Sequence, residues 1–173
     1  MHGLATTGVW HTICRLEPGR GTVVYYAMYP LHPLTVHLPI GLLLGNALLT
    51  LLYLRRGDPT FETSAFHCLW LGWLGALLAI ATGTFDAARQ VLSATNPRDD
   101  ALGWINAHAL TGLAILVIYW QAWQIRRRDP SVLASPTARR GYLARLAIGV
   151  ALLVLDGWLG GHLVYSLRLG VAP

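Results

Sequence analysis

The side chains best equipped for chemistry in this sequence are imidazoles placed at the ends of hydrocarbon-rich runs. His32 and His37 open "HPLTVHLPIGLLLGNALLTLLYL", His108 opens "HALTG", and His162 stands in "GGHLVY". Polar groups at membrane depth mark ligand or ion sites, and neutral imidazole is a standard axial ligand of b-type haem. A bis-histidine haem needs two imidazoles at similar depth on facing helices. His37 and His108 meet that demand, each about one turn inside the same end of its segment. Gly41 and Gly112 follow them at i+4, on the same helix face one turn deeper, where a missing side chain leaves space for the edge of a flat macrocycle. His32 and His162 fall at the rim of such a site. Two alternatives stay open. Each histidine could cap a helix or bond at the headgroup boundary, or His37 and His108 could hold a bare Zn, Cu or Fe ion. Asp86, in "GTFDAARQ", could then serve as a further ligand or orient a ligand histidine.

The elements that must carry these residues are helices in a bilayer. Of 173 residues, 54% are hydrophobic and 12% charged, a balance foreign to soluble domains. Four runs, about 34–54, 66–88, 103–124 and 142–167, reach the roughly 20 residues that a hydrocarbon core requires. Isolated strands there would leave backbone groups unpaired. Short links make successive spans antiparallel neighbours, so the expected fold is an all-α integral membrane protein, a four-helix up-down bundle. Residues 55–65 read as a turn with an Asp-Pro breaker, 89–102 as a polar link and 125–141 as a basic loop.

The net charge of +5 does not indicate nucleic acid, because eight of the thirteen basic residues sit in two loops on one side: Arg55, Arg56, Arg126, Arg127, Arg128, Arg139, Arg140 and Arg145. The positive-inside bias assigns that side to the cytoplasm, with both termini and the histidines outside. Residues 1–29 read as an extracytoplasmic extension, with Met28 an alternative start, and 30–173 as the transmembrane domain. Cys14 and Cys68 fall on opposite sides and should not pair.

A two-plus-two repeat shows in "HLPIG" against "HALTG", and in "GWLG" at 72–75 and 157–160. The stripes Gly72–Gly75–Ala79–Gly83 and Gly149–Asp156–Gly160 suit close helix approach in lipid. Asp156 must face the interior and find a mate; Asn46, at similar depth, is the expected one. Trp10, Trp104, Trp158 and Tyr165 form one interfacial belt, and Trp120, Trp123, Tyr53 and Tyr142 the other.

The segments "HPLTVHLPIGLL", "TGTFDA", "NAHAL" and "GWLGGHLVY" together resemble the bacterial four-span family known as domain of unknown function 2231, over about residues 30–170. The resemblance implies importance for His32, Pro33, His37, Pro39, Asp86, His108, Gly160, Gly161 and Tyr165. His162 stands where the family carries glutamate. Some members accompany Rieske-type iron–sulfur domains, which implies electron transfer.

The resulting expectation is a multi-pass protein of the bacterial inner membrane. It binds one b-type haem near the extracytoplasmic face and works as a non-catalytic subunit of a redox or respiratory assembly. Its partners would be the bilayer, an iron–sulfur or cytochrome protein, and a quinone. A cofactor-free structural subunit and a histidine-rich metal-binding protein are the alternatives. No nucleophile–base pair or phosphate loop suggests bond-making chemistry, so no catalytic residue is expected.

Overall fold

The computed structural model describes residues 31–93 and 99–169. The extension of residues 1–29, with Trp10 and Cys14, lies outside the described residues, as does Arg98. Four helices follow one another: α1 (His32–Arg56), α2 (Pro59–Ser93), α3 (Asp99–Arg128) and α4 (Ala138–Gly161), the last continued by a π-helical turn, His162–Ser166. Each contains a span long and apolar enough to cross a membrane. The described residues contain no strand.

The helices outrun their apolar cores, because polar residues beyond the hydrocarbon can still extend a helix. Only Gly57 and Asp58 separate α1 from α2. Gly57 takes the left-handed conformation (φ 72°) and its N–H closes onto the Tyr53 carbonyl at 2.8 Å, a glycine C-cap. Asp58 Oδ1 accepts the Thr60 N–H at 2.9 Å, and this bond holds its carboxyl below the usual aspartate range. Asp-Pro thus starts a helix here, with proline pre-set for the first turn, where a breaker inside a longer turn was expected.

Helix α1 packs along α2 and α3 along α4; the two hairpins meet between α2 and α3 and, more sparsely, between α1 and α4. Among the described residues, neither diagonal, α1–α3 or α2–α4, brings backbones close. The first stripe of small residues explains the tight hairpin: a Cβ on Gly72 would fall 2.8 Å from Leu43, and one on Gly75 3.3 Å from Pro39. The second stripe seats Tyr119, since a Cβ on Gly149 would fall 2.7 Å from its ring. A central layer of Leu43, Leu69, Ile115 and Leu146 is almost fully buried. Many large apolar side chains point outward, Leu34 at 79% exposed and Val154 at 67% among them. In water that surface would cost about 25 cal/mol per Å²; against lipid tails it costs nothing.

Candidate functional site

The end of the bundle opposite the arginine-rich loops gathers two histidines and two carboxylates. His32 is the first residue of α1, so its backbone N–H has no partner within the helix. It donates to Asp86 Oδ2 on α2 at 2.9 Å. The His32 ring lies along α2 with Nδ1 2.8 Å from the Ala79 carbonyl. A carbonyl only accepts, so Nδ1 carries the proton and Nε2 bears the lone pair. Gly83 makes this approach possible: a Cβ there would sit 2.9 Å from Nδ1. One turn deeper, the Thr35 and Thr82 hydroxyls bond at 2.8 Å and close the floor.

The second hairpin supplies a matching set. His108 Nδ1 on α3 lies 2.8 Å from Asp156 Oδ1 on α4. That is ion-pair distance, with the ring N–H out of line with the carboxylate oxygen. The imidazole rests against Gly160, where a Cβ would lie 3.4 Å from Cε1. The two rings meet across the α1–α3 diagonal, with centroids 5.9 Å apart and planes at 74°. Each hairpin thus gives a histidine from its first helix and an aspartate from its second. Asp86 is 8% exposed, and its Oδ1 has no partner among the described residues.

A family model described as "Predicted membrane protein (DUF2231)" matches residues 28–173, which include all four helices and this whole cluster. The chain belongs to that family. Comparison with curated proteins and with solved structures finds no match. The DUF2231 description brings a membrane setting and no reaction, so chemistry has to be read from the side chains.

In this DUF2231 chain His108 faces His32, whereas spacing pointed to His37. His37 is exposed, and its Nδ1 turns back to the Pro33 carbonyl of its own helix at 2.7 Å. Five residues rotate a helix by about 140°, so His32 and His37 cannot both face inward; the Gly83 notch seats His32. Gly41 is exposed and Gly112 half-buried, and neither has anything within 4 Å of an added Cβ. Neither glycine lines the cluster; Gly83 and Gly160, at the outer ends of the two stripes, do. His162 stands at the rim in an aromatic cage, 4.3 Å from the Trp104 ring and 5.9 Å from that of Trp158.

Asp156 finds His108 rather than Asn46, whose amide instead donates to the Ala65 carbonyl at 2.8 Å. Its place on the Gly149–Gly160 stripe, the face turned to α3, was the available signal. Tyr142 is not an interfacial aromatic but is 1% exposed, and Tyr119 is fully buried. Their hydroxyls belong to a second polar cluster toward the arginine-rich end. Cys68 is a free thiol. Among the described residues no three His, Cys, Asp or Glu side chains form an ion-binding group.

Proposed function

We propose that this protein is a membrane electron-transfer subunit that holds one b-type haem between His32 and His108. The observation that carries this reading is the pair itself: two imidazoles from opposite hairpins, each with Nδ1 occupied by an oxygen, and each with Nε2 lacking a protein partner among the described residues. The two ring centroids stand 5.9 Å apart, so His32 and His108 are the residues that would hold one haem iron between them. A porphyrin brings four nitrogens of its own, so two histidines suffice, while a bare Zn, Cu or Fe ion would want a third protein ligand.

The chain's own groups have definite tasks in this scheme. The Ala79 carbonyl and the Asp156 carboxylate fix ring orientation and make the imidazoles better electron donors, as outer-shell partners of metal ligands do. Gly83 and Gly160 let both rings sit against helix backbone. When bound, the haem supplies a one-electron couple. His162, Trp104 and Trp158 form the surface past which an electron would leave toward an iron–sulfur or cytochrome partner or a quinone. The arginine-rich loops favour a cytoplasmic position for their own end, in a bacterial inner membrane; the haem and both termini then lie outside.

The test is a reduced-minus-oxidised absorption spectrum of the purified full-length protein with its metal content. Sharp bis-imidazole bands that vanish in His32→Ala and in His108→Ala, and persist in His37→Ala, are expected. Bands lost with His37 and kept without His32 would refute this ligand pair. A colourless protein carrying stoichiometric metal would favour the ion, and one with neither would favour a structural subunit.

A further inference from the structure

The interior toward the arginine-rich end holds polar atoms that the outer cluster does not use. Asn46, Thr50 and Tyr119 are 0–1% exposed, yet Asn46 Oδ1, Thr50 Oγ1 and the Tyr119 hydroxyl have no hydrogen-bond partner among the described residues. The Tyr142 phenol lies within loose hydrogen-bonding reach of Asn46 and Thr50, and within electrostatic reach of Tyr119 and of the Glu62–Arg126 ion pair at the helix ends. Thr50 is unlike the other threonines of the spans. Thr84 and Thr111 each donate to a carbonyl four residues back in their own helix, the usual way a hydroxyl is satisfied in a helix, and Thr35 and Thr82 are within reach of such carbonyls as well as of each other. Thr50, more deeply buried than any of them, makes no such bond.

The single phenol proton of Tyr142 cannot complete the bonding of all these oxygens, and dry, those left over would bear the cost of lost hydration. Four neutral oxygens from three helices, with one more polar pair leading to the surface, match what a buried water needs, which is two to four polar partners. A groove of about 420 Å³ between α1 and α4, lined by Thr50 with Ala47, Leu54, Leu143 and Leu146, runs beside the cluster.

We infer that Asn46, Thr50, Tyr119 and Tyr142 enclose ordered water that exchanges with the arginine-rich side past Glu62 and Arg126. This is a hydrated vestibule that gives water and protons access to the inner half of the bundle. It ends at the apolar layer of Leu43 and Ile115. Asn46 lies eleven residues from Thr35, the floor of the outer cluster, roughly 16 Å of helix at 1.5 Å per residue. Two polar chambers thus face each other across one dry septum. This inference rests on residues separate from the haem ligands, so it stands or falls without them.

The experiment uses the full chain in nanodiscs with Cys14→Ser and Cys68→Ser as background. A small hydrophilic thiosulfonate should react with the Thr50→Cys protein at least tenfold faster than with the Leu48→Cys protein, whose new side chain lies on the outer face of α1 away from the groove, because a thiol ionises only where water reaches it. Independently, Thr50→Val should lower the melting temperature, since it removes a partner of bound water. A Thr50→Cys protein that reacts no faster than Leu48→Cys, or a Thr50→Val protein that melts higher than the parent, would overturn the vestibule. The valine variant decides alone if the cysteine variant does not fold.

Discussion

The two polar chambers of this bundle solve the same problem with different chemistry. The outer one uses ionisable groups, His32, His108, Asp86 and Asp156, in pairs that leave both Nε2 atoms and one carboxylate oxygen without a partner among the described residues. The inner one uses neutral hydroxyls and an amide, which suit water and lack the nitrogen lone pair that a haem iron takes from histidine. Imidazoles, whose ring nitrogens can bind a metal, sit where the haem is proposed. Groups that merely solvate sit where only water is called for. Polarity in a membrane interior is therefore weak evidence of function until the donors are known.

Loss of haem is the largest effect that could break this contrast. His32→Ala and His108→Ala should each abolish the bis-imidazole spectrum, whereas Asn46→Leu and Tyr142→Phe should leave it intact; bands that depend on the inner residues would erase the distinction between chambers. Next in size is packing. Gly149→Ala would drive a Cβ to within 2.7 Å of the Tyr119 ring, and overpacking of this kind costs about 1–3 kcal/mol. Thermal melts should show that loss with the haem bands unchanged in wavelength. Gly160→Ala is milder, with its new contact on His108 Cε1 at 3.4 Å, and should move the haem potential more than the melting temperature.

Asp156→Asn sharpens the outer chamber further. It keeps an oxygen near His108 Nδ1 and removes the charge, so haem should stay bound while the potential rises, because a less basic imidazole stabilises ferric iron less. A redox titration with no shift would reduce Asp156 to a packing residue. The smallest effect lies outside the membrane at Asp58. Its carboxyl is held below the ordinary range by the Thr60 N–H, so its contribution is present above the unfolded pKa of about 3.9 and fades as pH falls through the folded value. Asp58→Ala should lower the melting temperature slightly at pH 7 and not at all near pH 2.

The four spans, their order and the end of the bundle where the histidines gather were legible in the sequence, because hydropathy and length decide what crosses a bilayer regardless of neighbours. The small-residue stripes were legible too, since spacing alone puts Gly72, Gly75 and Gly83 on one face. Which imidazole faces the axis was not. His32 and His37 differ by a rotation about α1, and that rotation is set by the fit of Leu43, Pro39 and His32 onto Gly72, Gly75 and Gly83 of another helix. The mate of Asp156 and the burial of Tyr119 and Tyr142 were decided in the same way, by how four helices settle against one another. Periodicity reports a residue's angle on its own helix; only packing converts that angle into a neighbour.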